Sequence, residues 1–169
     1  MEWSSIVREK DSLISKQDNI RAEVEKAFKK EGGPDPSQIV VSLLPEPLQI
    51  RDFFSGKKWW DLTLEGFYDD YVGDSSACLT FMTPVGIDYY LPAYLLMATE
   101  RYEEGDVLTQ SLAYRLSLYI SKDATYRLSL LSVEKQKAIA SVLQFLWDEY
   151  EDEGAAEAIE IFWGRFLEN

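Results

Sequence analysis

The sequence contains no histidine among its 169 residues. Histidine is the commonest general base near neutral pH and the commonest ligand of transition metals. Its absence excludes Ser-His-Asp and Cys-His catalysis. The single cysteine, Cys78, cannot form an internal disulfide, and its neighbours Ala77 and Leu79 predict a buried thiol in a reducing compartment. The sequence therefore predicts no metal site and no cofactor.

Basic residues and long hydrophobic runs are also scarce. Seventeen Lys and Arg residues face thirty Asp and Glu residues, a net charge of −13, whereas a nucleic-acid surface needs clustered Lys and Arg. The longest apolar run, residues 85–98, is interrupted by Asp88 and Pro92 and is shorter than the about 20 residues that a bilayer requires. Arg8 and Lys10 occupy the position of a secretion signal's apolar core. These features predict a cytoplasmic protein without nucleic-acid or membrane contacts.

The acidic charge is unevenly distributed. Residues 1–31 carry seven acids and seven bases, whereas residues 147–169 carry eight acids and one base, a sum of −7. The acidic run 148–153 lacks the alternating aspartates of a calcium loop, so we expect no metal there. A dense acidic surface favours a basic protein as a partner, because complementary charge speeds association.

The composition that is present suits a helical domain. Hydrophobic residues make up 46% and aromatic residues 14% of the chain, which is enough for one core in a single domain spanning residues 1–169. Apolar residues recur at helical spacing in about seven segments, and no segment alternates as a strand does. The clearest helix follows Ser132 as its N-cap. The sequence therefore predicts an all-α, compact, single-domain bundle.

The two ends of the chain have different patterns. Residues 1–17 are weakly patterned, although Ile6 and Leu13, like Val7 and Ile14, stand seven residues apart. This pattern predicts a short first helix, with a second helix starting at Asp18. Residues 154–169 are predicted to form an acidic amphipathic helix.

The centre of the bundle is predicted to lie in residues 79–97, where Asp88 is the only acid. A helix that is apolar all round is buried. Proline suits the first helical position, so this central helix is expected to start near Pro92 and to stop before Gly105. The residue before a proline avoids helical angles, which predicts a bend at residues 89–91.

Asp88, Tyr89, Tyr90 and Tyr94 form a possible pocket, since they offer one carboxylate and three hydroxyls. The favoured alternative places the tyrosine rings in the core with their hydroxyls bonded locally. Asp88 has its own alternative, in which it accepts backbone N–H groups at the start of the central helix.

A second candidate site surrounds a tryptophan pair. Adjacent helical residues point about 100° apart, so we expect Trp60 to be buried and Trp59 to be exposed. Tryptophan is enriched in binding hot spots. The residues proposed for partner binding are Lys57, Lys58, Trp59, Glu149, Asp152 and Glu153.

Four short stretches carry a resemblance to a known family. They are residues 20–28, the pieces Phe54-Ser-Gly-Lys57 and Trp60-Asp61-Leu62, the piece Phe81-Met-Thr-Pro84 before Tyr89-Tyr-Leu-Pro-Ala93, and residues 131–136. This pattern resembles a family of small bacterial proteins classed only as a domain of unknown function. The resemblance covers residues 20 to about 150 and leaves out the segment after Gly154. It implies a stand-alone cytoplasmic bacterial domain and supplies no catalytic residues.

Two functions are compatible with these features. The first is a protein–protein interaction module, for example an inhibitor or immunity-type partner that covers a basic protein. The alternative is a small enzyme that uses carboxylate and tyrosine acid–base chemistry around Asp88, with Tyr89 or Tyr90. The sequence leaves the oligomeric state open.

Overall fold

The computed structural model describes residues 2–167, so Met1, Glu168 and Asn169 of the predicted terminal segments lie outside it. The described residues contain helices and no strands, which confirms the all-α class. Their α-helices number ten, not about seven. They are α1 (Glu2–Ala27), α2 (Pro36–Ile39), α3 (Pro45–Phe54), α4 (Leu64–Asp70), α5 (Pro84–Glu100), α6 (Val107–Gln110), α7 (Leu112–Ser121), α8 (Asp123–Tyr126), α9 (Val133–Tyr150) and α10 (Glu153–Ile161). Three of them, α2, α6 and α8, have only four residues.

Four short 3₁₀ segments complete this architecture. They span Trp59–Asp61, Ser75–Phe81, Leu128–Leu130 and Trp163–Phe166. Buried side chains from α1 through the last 3₁₀ segment belong to one hydrophobic core. No helix within residues 2–167 has the length and apolar character needed to cross a membrane.

The central helix is α5, and it starts at Pro84 instead of near Pro92. Thr83 caps it, because its hydroxyl accepts a 3.1 Å hydrogen bond from the backbone N–H of Gly86. Pro92 lies inside the helix, where proline removes one backbone hydrogen bond. Every residue from 90 to 99 is buried, so packing on all sides outweighs that loss. The predicted bend at residues 89–91 is therefore wrong.

The N-terminal region forms one 26-residue helix, α1, instead of two. Asp18 lies within it and is not a cap. The side chain of Gln17 donates a 3.0 Å hydrogen bond to the carbonyl of Thr99, while the last turn of α1 lies near the start of α5. Helix α1 therefore runs antiparallel to α5. Residues 2–12 are all exposed, so about 16 Å of helix extends past the body at a rise of 1.5 Å per residue.

The proline-rich stretch between α1 and α4 contains two helices. They are α2 and α3, and α3 starts at Pro45. The backbone N–H of Thr83 donates a 2.9 Å hydrogen bond to the carbonyl of Ile39. A side chain at Gly86 would place its Cβ 2.9 Å from that carbonyl oxygen, so glycine lets α2 lie directly against α5.

Helix α9 starts where the sequence predicts, whereas the last helix ends earlier than predicted. The backbone N–H of Lys135 donates to the Ser132 hydroxyl at 3.3 Å, which confirms the Ser132 cap. Trp147, near the end of α9, is 40% exposed. Helix α10 ends at Ile161 and gives way to a 3₁₀ segment. The last helix is therefore shorter than the predicted residues 154–169.

Candidate functional site

A concavity lies where the end of α1 meets the starts of α5 and α9. It has a volume of about 740 Å³. Asp88 and Tyr89 of the predicted pocket line it together with Lys135 and Ser132 from α9. Tyr90 and Tyr94 do not line it. The structure therefore brings together only half of the predicted pocket.

Asp88 is engaged by a lysine instead of by backbone N–H groups. The ammonium of Lys135 lies 2.6 Å from a carboxylate oxygen of Asp88 and 5.3 Å from the centre of the Phe28 ring. Because α5 starts at Pro84, Asp88 lies beyond the first helical turn and its free N–H groups. The predicted role of Asp88 at the helix start is therefore wrong.

The three tyrosine hydroxyls point to three different places, and each bonds to a backbone carbonyl. The hydroxyl of Tyr89 donates to Glu31 at 3.1 Å, and that of Tyr94 faces Ser75 at 3.4 Å. The hydroxyl of Tyr90 lies 2.8 Å from the carbonyl of Phe54. Burial raises the pKa of Tyr90 and of Tyr94. Tyr90 and Tyr94, each 1% exposed, are core residues.

In the tryptophan pair, Trp59 is the more buried residue, whereas the sequence predicts Trp60 to be buried and Trp59 to be exposed. Trp59 is only 2% exposed, and its indole N–H donates a 3.2 Å hydrogen bond to the carbonyl of Lys29. Trp60 is half-buried. The pair lies in a 3₁₀ turn that packs against α5, and the segment just after α1 accepts the indole hydrogen bond. The prediction of an exposed Trp59 is therefore wrong.

The two lysines beside this pair contact aromatic residues close to them in the sequence. The ammonium of Lys57 hydrogen-bonds to the carbonyl of Phe53 and lies 3.9 Å from the centre of that residue's ring. The ammonium of Lys58 lies 5.5 Å from the centre of the Trp60 ring. Lys57, Lys58 and Trp59 thus do not present one recognition surface.

The three predicted acidic contact residues have three separate environments. Glu149 forms a 2.7 Å ion pair with Lys16 of α1. Asp152 is 8% exposed and caps α10, because its Oδ1 accepts a 2.9 Å hydrogen bond from the backbone N–H of Ala155. Glu153 is exposed. A buried cap cannot contact a partner, so the inclusion of Asp152 in the binding set is wrong.

The acidic surface that remains is a row on α10. Glu153, Glu157 and Glu160 follow helical spacing, are all exposed, and make no ion pair within residues 2–167. Across the same residues, no three metal-ligating side chains are grouped closely enough to hold an ion. The row is therefore an open, charged surface.

The exposed part of α1 is the feature that the predicted sites left out. We call residues 2–14 the α1 arm. Trp3 is 80%, Ile6 46%, Val7 52% and Ile14 53% exposed. At 100° per residue these four side chains share one side of the helix. The seven-residue spacing of Ile6 and Leu13 continues to the buried Ile20, and this is the sequence signal that marks the arm.

Comparison with known proteins gives a family without an assigned activity. Residues 45–166 match the model described as "Family of unknown function (DUF6714)". The chain belongs to this family. The match starts later than the resemblance noted for residues 20–28, so it leaves out α1, and it includes α10, which the resemblance had left out. No curated protein and no solved structure matches the chain.

Proposed function

We propose that this DUF6714 protein is a protein–protein interaction module that docks partners through the α1 arm. The observation that carries the proposal is the side of the arm formed by Trp3, Ile6, Val7 and Ile14, which no described part of the chain covers. Exposed apolar side chains that form one contiguous patch are typical of interaction surfaces, whereas single exposed apolar side chains are common on any protein. Tryptophan is also among the residues that dominate binding energy.

The alternative enzyme around Asp88 has less support. Its carboxylate is paired with Lys135, and the hydroxyl of Tyr89 is bonded to a carbonyl. A general acid or base needs a proton-transfer group that faces a substrate. The cleft offers an ion pair and a satisfied phenol, so we assign it no chemical step.

The charge of the chain supports a basic protein as a further partner. The row of Glu153, Glu157 and Glu160 is an acidic surface without counter-ions in the described residues, and electrostatic steering toward it would speed association. The net charge of −13 is unfavourable for nucleic acid. We also propose a cytoplasmic location, which is supported by the buried, unpaired thiol of Cys78.

A photo-crosslinking residue at position 6 tests the docking role of the arm. Residue 12 provides the matched control, because Ser12 is exposed on the same arm and lies about 120° away from Ile6 around the helix. We expect a discrete crosslinked product in the native cell from position 6 and none from position 12. Equal crosslinking from both positions, or none from either, would overturn the proposal.

A further inference from the structure

We propose that the partner of the α1 arm is a second copy of the same chain, and that two arms pair antiparallel to form a reversible homodimer. This inference rests on the proposed docking function of the arm and names its partner. Three properties of the described residues support it: the continuity of the apolar stripe, the charge of the arm, and the placement of the body at one end of the arm.

The stripe on the arm continues an existing helix–helix interface. Ile20 and Val24, in the second half of α1, are buried against the body. Leu13 and Gln17 are half-buried, and Ile6 is exposed. The same stripe thus packs against helices at one end of α1 and lacks a helix at the other, within residues 2–167. A helix of similar character is the natural occupant of the open end.

The charge of the arm selects a second copy over a basic protein. Residues 2–16 carry three acids and three bases, whereas the whole chain carries −13. Two copies repel each other over most of their surfaces, but the arm is electrically balanced and extends away from the body. A basic protein gains no steering from a neutral arm and is attracted to α10 instead. The arm is therefore the place where two acidic copies can meet.

The positions of the charges favour the antiparallel arrangement. With Trp3 placed opposite Ile14 of the second copy, Lys10, which lies on the apolar side of the arm, falls opposite Val7. A parallel pair would set Lys10 against Lys10 and place both −13 bodies side by side. Antiparallel arms hold the two bodies at opposite ends, so like-charge repulsion is smaller.

The size of the contact predicts a weak dimer. Only about three helical turns of each arm are free to overlap, so the buried area falls below the about 1,200 Å² of a standard specific interface. We therefore expect monomer and dimer to exchange within an ordinary range of protein concentration, and not a permanent assembly.

Sedimentation equilibrium of the full chain tests the dimer. We expect the average mass to rise with concentration from 19.5 kDa toward twice that value, and to rise further in about 0.5 M salt because screening weakens like-charge repulsion. Ile6→Lys should abolish the rise at every concentration. Ser12→Lys adds the same charge away from the stripe and should retain it. Circular dichroism of both variants should show that α1 stays folded.

A monomer at all concentrations overturns the self-pairing, as does a dimer that survives Ile6→Lys or is lost in Ser12→Lys. These results are distinguishable from failure of the proposed function. If the wild-type chain stays monomeric while position 6 crosslinks to a different protein, docking through the arm stands and self-pairing falls. If the chain stays monomeric and position 6 gives no product, both fall.

Disulfide trapping tests the orientation. The native Cys78 is fully buried, so cysteines placed in the arm report on pairing alone. A mixture of Trp3→Cys and Ile14→Cys chains, with one of them carrying a size tag, should give the mixed disulfide under mild oxidation. Preferential disulfides between two Trp3→Cys chains would show parallel arms and overturn the antiparallel arrangement.

Discussion

The hydroxyl of Tyr102 donates a 2.7 Å hydrogen bond to Oδ2 of Asp152. The Tyr102 ring also stacks on Tyr150, with ring centres 4.1 Å apart and planes 13° apart. Burial, followed by the hydrogen bond to Asp152, raises the pKa of Tyr102. One carboxylate therefore ties the segment after α5 to the turn between α9 and α10, while its other oxygen caps α10.

We expect Asp152→Ala to destabilise the protein by about 1–3 kcal/mol, because it removes a helix cap and leaves the Tyr102 hydroxyl without its acceptor. Glu153→Ala, one residue away on an exposed side chain, should change stability by less than about 0.5 kcal/mol. Urea melts of the two variants make the comparison. Equal effects would show that Asp152 is a surface residue after all.

The reversed tryptophan pair gives a second prediction. Trp59→Ala should cost about 3–5 kcal/mol, the range for truncating a buried large aromatic residue. Trp60→Ala should cost clearly less, because Trp60 keeps contact with solvent. Denaturant melts monitored by circular dichroism avoid the loss of tryptophan fluorescence. A larger loss in Trp60→Ala than in Trp59→Ala would contradict the observed burial.

The sequence was informative where local chemistry decides the structure. The sequence predicts Ser132 as a helix cap, and its hydroxyl accepts the expected backbone N–H group. The apolar segment around Leu95 was assigned to the core, and Leu95 is fully buried. Caps and buried helices depend on neighbours within a few residues, so a single sequence contains most of what determines them.

The sequence was misleading where contacts between distant residues decide. Pro92 marked a helix start by its local preference, but packing on all sides of α5 kept the helix continuous. The indole of Trp59 is hydrogen-bonded to the carbonyl of Lys29, thirty residues earlier, and Asp88 is paired with Lys135, which lies on α9. No local sequence pattern predicts contacts between residues so far apart in the chain. The sequence therefore predicts two of the four proposed pocket residues correctly, Asp88 and Tyr89. It does not predict the α1 arm as a binding surface.

The single cysteine provides a third prediction. Burial raises the pKa of the Cys78 thiol to about 11, and the residue is fully buried. A thiol reacts as its thiolate, and only when a reagent can reach it. At about pH 8 we expect labelling of the folded protein to be slow and limited by opening of the structure. Unfolding in urea should make labelling fast. Rapid labelling without urea would contradict the burial of Cys78.

The fourth prediction concerns alkaline stability and follows from the buried phenol of Tyr90. Burial raises its pKa in the folded state, whereas the phenol of an unfolded chain titrates near about pH 10. Its stabilising contribution is therefore complete below about pH 10 and is lost as pH rises toward the folded-state pKa, with a slope of about 1.4 kcal/mol per pH unit.

Tyr90→Phe tests this slope directly. At about pH 7 it should destabilise the protein by about 1–3 kcal/mol, because the hydrogen bonds of the Tyr90 hydroxyl to the carbonyls of Phe54 and Lys57 are lost. Above about pH 10 the difference in unfolding free energy between wild type and variant should narrow. In the wild type the phenol of residue 90 ionises in the unfolded state, which stabilises that state, whereas the variant lacks this phenol. Urea melts from about pH 7 to about pH 11 measure the gap. The control is Tyr114→Phe, which removes a phenol that is 62% exposed and should change stability at about pH 7 by less than about 0.5 kcal/mol. A gap that stays constant across this range would show that Tyr90 ionises equally well in both states, and its place in the core would then have to be abandoned.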